Sequence, residues 1–154
     1  MAADSAVIAA YWAQVRADHP ELQERIPLAW AFGATPEHAD GLLALVLDGT
    51  KTGTASSLWD YEATGDPIPE AGELSIILDG AGTPRAVIET LWLETVPFHD
   101  VSAEHAHAEG EGDRTLAHWR RVHEQFWLEH SESPRGFAPD MSVLCERFRV
   151  IHSA

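Results

Sequence analysis

Hydrophobic residues in the first part of the chain recur at helical spacing. Val7, Ile8, Tyr11, Trp12 and Val15 fall on one face between Asp4 and His19, which predicts an amphipathic helix stopped by Pro20. Leu28, Trp30 and Phe32 alternate and predict a short strand. Thr35-Pro36 reads as an N-cap followed by proline at the first helical position. Ala39, Leu42, Leu43, Val46 and Leu47 then give a helix its apolar face, and Gly49 stops it. Ser57 to Glu62 suits a helical turn, and Gly65 to Pro69 a turn-rich connection.

The second half alternates between strand and helix patterns. Glu73 to Leu78 and Arg85 to Val96 read as strands joined through the hairpin loop Asp79-Gly80-Ala81-Gly82. Ser102 to Ala108 predicts a short helix. Arg114 to His130 predicts a longer one, capped by Asp113, with Leu116, Trp119, Val122, Phe126 and Trp127 as its apolar positions. Met141 to Ile151 is the final strand. Val143, Cys145, Arg147 and Arg149 share one of its faces, but Leu144, Phe148 and Val150 break the alternation and leave the register open. These elements make an α+β chain: a small, mostly antiparallel sheet with flanking helices, curled into a barrel.

Composition narrows the partners. A chain of 154 residues with 45% hydrophobic content can bury one real core. Its formal net charge of −15 repels a polyanion, so long duplex DNA is not an expected partner. The single cysteine, Cys145, excludes an internal disulfide and fits a reducing cytoplasm. Its apolar neighbours mark it as a buried strand residue rather than a reactive thiol. The start Met1-Ala2-Ala3-Asp4 lacks the basic and apolar regions of a leader, and no run has the length of a membrane span.

Lys51 is the only lysine and sits among small hydroxyl residues in Gly49-Thr50-Lys51-Thr52-Gly53-Thr54-Ala55-Ser56. A lysine partly withdrawn from water can act as base or nucleophile near neutral pH. Spacing alone also fits a helix C-cap running into an ordinary turn. Glu109-Gly110-Glu111-Gly112-Asp113 is a second candidate, because its glycines let the backbone approach a ligand closely. A carboxylate from that loop beside Lys51 would form an acid–base pair. Without the lysine it is an acidic loop leading into a helix.

Other chemistry is less well supported. No metal is expected: His105 and His107 are two apart and face different ways on a helix, while His123 and His130 share a face without a clear third ligand. Gly49-Thr50-Lys51-Thr52 lacks the spacing of a phosphate-binding P-loop, and no cofactor is implied. Most of the six tryptophans suit a core. Trp59, close to Lys51 and to Tyr61, could instead stack on a base.

Gly49, Lys51 and Thr54 match the Gly-x-Lys-x-x-Thr signature that the ASCH family, a branch of the PUA-like barrels, carries just after a helix. Ala55 to Glu62, Gly72-Glu73-Leu74, Glu109 to Leu116 and Phe148-x-Val150 resemble its longer bacterial members in the same order. The resemblance runs from Trp30 onward. It implies residues 30–154 as an ASCH domain with residues 1–29 as a helical extension packed on it.

The resemblance further implies a cleft suited to RNA or a nucleoside. Small family members resemble amidohydrolases that remove the acetyl group of N4-acetylcytidine with a Lys, a Thr and a Glu. Carried over by position, these are Lys51, Thr54 and Glu111, with Glu109 competing for the last role. Ser56, Trp59, Tyr61, Glu109 and Arg114 are the substrate-binding candidates. Ser56 stands where small members have an arginine, which departs from the pattern for gripping a phosphate. A single-stranded RNA-binding module or ribonuclease, and a non-catalytic nucleotide sensor, are the alternatives.

Overall fold

The computed structural model describes residues 4–153. The first three residues, part of the stretch read as lacking a leader, lie outside that range, as does residue 154. The elements in chain order are α1 (Ser5–Asp18), β1 (Leu28–Trp30), α2 (Pro36–Leu47), β2 (Gly53–Ser57), α3 (Leu58–Thr64), β3 (Leu74–Leu78), β4 (Pro84–Pro97), α4 (Ala103–Glu109), α5 (Leu116–His130) and β5 (Ser142–Ser153). A 3-10 turn, Phe98–Asp100, follows β4. No helix among the described residues is long and apolar enough to cross a membrane.

The strands form one sheet in the order β1-β3-β4-β5-β2. β1 runs parallel to β3, and the other neighbours are antiparallel. The spine is the pairing of β4 with β5, which runs from Ala86↔Ser153 to Pro97↔Ser142 and shifts register at Val87/Ile88 and Thr90/Trp92. Those irregularities bend the long strands and curl the sheet.

The sheet does not close. The expected barrel is a half-barrel, because β1 and β2 remain as its two edges. β1 has only three residues, too few to bridge the gap.

Two other expectations change. Gly53–Ser57, read as part of a turn, is strand β2, aligned on β5 with Thr54 opposite Glu146 and Ala55 opposite Cys145. Its Gly-Thr-Ala-Ser-Ser sequence has no hydrophobic alternation, so long-range pairing with β5 defines it as a strand. The cap of α5 is Thr115, whose side chain accepts from the His118 N–H, and not Asp113. Arg114 has φ +65°, outside the helical region, so the helix cannot begin before it.

Each helix layer covers a different part of the sheet. Phe32 with Leu42, Leu43 and Val46 of α2 packs on Ile77, Ile88 and Phe148. Trp12 and Val15 of α1 pack on Ile76, Leu78 and Val87. Because Ile76 and Ile77 are adjacent in one strand, α1 and α2 lie on opposite faces. Trp119 and Trp127 of α5 gather Phe98, Val101, Ala106, Val143 and Cys145 into a third cluster. Cys145 is buried there, and burial pushes its thiol up to about 12.

Candidate functional site

Lys51 reaches the interior because the chain reverses just after α2. Gly49 adopts φ +86°, and the Lys51 N–H then donates back to the Leu45 carbonyl. Thr52 bonds in both directions, donating to the Ala108 carbonyl and accepting from the Phe148 N–H. This fixes the Lys51 backbone between α4 and β5 and turns its side chain inward. Lys51 is 2% exposed.

Its ammonium meets three oxygens from a loop about 60 residues away. Nζ lies 3.4 Å from Glu109 Oε1, 3.4 Å from the Glu109 carbonyl and 3.2 Å from Glu111 Oε2. The loop is shaped by Gly110, which ends α4 at φ +74° and lets successive acids turn toward one amine. A Cβ at Gly110 would sit 2.7 Å from the Thr50 carbonyl oxygen. Gly110→Ala is therefore expected to cost about 1–3 kcal/mol, read as a lower midpoint in urea unfolding. An unchanged midpoint would show that this approach is not constrained.

The two carboxylates have different surroundings. Glu109 is buried and fully engaged: Oε2 lies 2.7 Å from His105 Nε2 and accepts from the Trp119 indole N–H. Oε1 faces both Lys51 and His123 Nε2, the latter at 3.4 Å. Burial alone would raise its pKa, but His123, Lys51 and His105 overcome that and hold it well below the usual carboxylate range. Glu111 is half-buried, and its carboxylate accepts from Lys51 alone among the described residues. Glu109 is thus a fixed anion, and Glu111 has an oxygen to spare.

His123 is oriented by donating from Nδ1 to the Trp119 carbonyl at 2.9 Å, and its ring stacks on Trp119 with centroids 4.1 Å apart. Burial would lower its pKa, yet the Glu109 and Glu111 charges raise it above the ordinary imidazole value. The raised value means that its stabilising effect is complete below about pH 6.5 and disappears as pH rises through the folded pKa. Glu109 has the opposite sign: its contribution is present above about pH 4.5 and disappears as pH falls through its lowered value. A thermal midpoint that declines above about pH 6.5 in the wild type, but not in His123→Gln, is the expected result. Parallel pH profiles for the two proteins would contradict it.

Lys51, Thr54, Glu109, Glu111 and His123 line one cavity of about 70 Å³, with Phe32 beside the amine. Ligand atoms of Glu109, Glu111 and His123 lie within 4.8 Å of one another, a spacing that a divalent ion could use. The Lys51 ammonium already contacts both carboxylates and offsets their charge.

The lysine motif and the distant glutamates thus come together behind α2, on the β2 edge of an open sheet. The family model of the ASCH domain matches residues 28–152. The chain belongs to the ASCH domain family. Its fold is shared with protein EF3133 from Enterococcus faecalis V583, described under the family model DUF984. That structure is 36% identical with a TM-score of 0.85, over 94% of this chain and 88% of the other. An ASCH domain from Lactobacillus crispatus JV V101 is 25% identical with a TM-score of 0.77, over 90% of this chain and 92% of that one. No curated protein matches the chain.

Within this ASCH domain the expected site residues divide. Lys51, Thr54, Glu109 and Glu111 share the cavity. Ser56 and Tyr61 line a groove that continues from it past Thr54. Trp59 and Arg114 lie elsewhere. Trp59 packs on the α5 cluster, with the Arg135 guanidinium 4.0 Å from its ring centroid. Arg114 braces the loop by donating to the His107 and Thr50 carbonyls. His105, Trp119 and His123 were missed as site residues. The spacing of four from His105 to Glu109, and again from Trp119 to His123, was the available signal.

Proposed function

We propose that this ASCH domain is an amidohydrolase that removes an acyl group from a small N-acylated cytidine-like nucleoside. The reading is supported above all by the buried Lys51 amine, 3.2 Å from the half-buried Glu111 and in one cavity with Thr54. Glu111 takes a proton from the Lys51 ammonium, and the neutral amine then removes one from a water positioned by Thr54. The hydroxide adds to the acyl carbon, the C–N bond breaks, the leaving amine takes a proton from Lys51, and Glu111 returns its proton to the Lys51 amine. Carboxylic acid and free nucleoside result. Glu109 stays ionised throughout and anchors the amine.

Incubation with N4-acetylcytidine, with cytidine followed by chromatography, tests this. No release would overturn it, and binding without release would identify a nucleotide sensor instead. The family's PUA-like, RNA-related character supports a second reading, a single-stranded RNA-binding module or ribonuclease. Against it, Arg114 and Arg120 spend their guanidinium groups on backbone carbonyls. Phosphate gripping would show as a steep fall in RNA affinity with salt.

A further inference from the structure

Strands β3, β4 and β5 each carry an apolar residue under α2 and, two residues along on the same face, a polar one. The pairs are Ile77 and Ser75, Ile88 and Thr90, Phe148 and Glu146. Ser75 and Glu146 lie in a groove of about 370 Å³ where the sheet fails to close, with Trp30 contributed by β1 and Tyr61 by α3. Thr90 backs Glu146 from β4.

Glu146 is the residue that sheet packing does not explain. It is 7% exposed, and Thr90 Oγ1 donates to its Oε2 at 2.8 Å. Oε1 has no hydrogen-bond partner among the described residues. Burial pushes the carboxyl up, and the neighbouring Glu73 charge adds to the rise. With Oε2 taken by Thr90, Oε1 is the oxygen open to the groove and left to accept from a donor that enters it. Glu146 is also the direct cross-strand partner of Thr54, the residue at which the groove meets the Lys51 cavity.

Charge limits what can enter. Asp66 and Glu73 join Glu146 in the groove, and no lysine or arginine lines it. A phosphate would meet only repulsion there.

We propose that this groove recognises an unphosphorylated planar ring with an N–H donor edge, an aminopyrimidine nucleoside rather than a nucleotide, and that Glu146 Oε1 accepts that N–H. The inference rests on the nucleoside-directed reading above but is tested by binding, not turnover. Trp30 and Tyr61 supply apolar surface for the ring, and the cross-strand position of Glu146 brings the amino edge to Thr54.

Calorimetric titration of the wild-type protein with cytidine, uridine and cytidine 5′-monophosphate tests the idea without any variant. Cytidine is expected to bind saturably, and uridine and the monophosphate at least about tenfold more weakly. The isosteric Glu146→Gln should weaken cytidine about tenfold and bring cytidine and uridine within about threefold of each other. No saturable cytidine binding, equal binding of the monophosphate, tighter binding of a short oligocytidylate, or a Glu146→Gln variant that binds as wild type would each overturn it. Turnover of N4-acetylcytidine without cytidine–uridine discrimination would sink this inference and leave the hydrolase standing. Discrimination without turnover would do the reverse.

Discussion

Lys51→Met is expected to lower kcat/KM for N4-acetylcytidine by about 10²–10⁴-fold. Methionine keeps most of the length and apolar stem of the side chain, so what is lost is the amine and its contact over the Phe32 ring. Without it, Glu111 has no partner through which to move a proton, and Thr54 has no base beside it. Glu109 retains His105, Trp119 and His123, so its charge remains compensated and the fold should persist. Steady-state release of cytidine, with circular dichroism to confirm folding, gives the measurement. Activity within about threefold of wild type would remove Lys51 from the mechanism and with it the proposed function.

Glu109→Leu is expected to destabilise the protein by about 3–5 kcal/mol, the usual cost of removing one partner from a buried charge pair. The carboxylate accepts from or faces Lys51, His105, Trp119 and His123 at once. Leucine fills similar space but leaves a buried ammonium with Glu111 and one carbonyl, and it orphans an indole N–H. The effect appears as a lower midpoint in urea with an unchanged slope. A loss below about 1 kcal/mol would mean that the cluster is solvated and is not the anchor described above.

These predictions separate roles that the sequence leaves open. Glu109 and Glu111 are two residues apart in one acidic stretch, and either could have been the acid beside Lys51. Both contact it, but only Glu109 receives His105, Trp119 and His123, because α4 ends on it and α5 returns across it. The motif Gly49-x-Lys51-x-x-Thr54 was legible because its residues are local and their order carries the chemistry. The apolar faces of α1, α2 and α5 were legible for the same reason. β2 was not, since small polar residues become a strand only when a partner supplies the hydrogen bonds. Trp59 shows the converse: its ring is met by Arg135, remote in sequence, a contact that no local pattern reports.

By itself the sequence determined the family, the identity of the one lysine, the helices, and an acidity that disfavours polyanions. Tertiary structure alone decided that the sheet stays open between β1 and β2, that Glu109 is the fixed anion, and that Glu146 lies across from Thr54. The physical reason is range. Periodicity and motifs report interactions within a few residues, whereas a pKa, a cavity or a groove is set by groups that folding brings from more than 50 residues away.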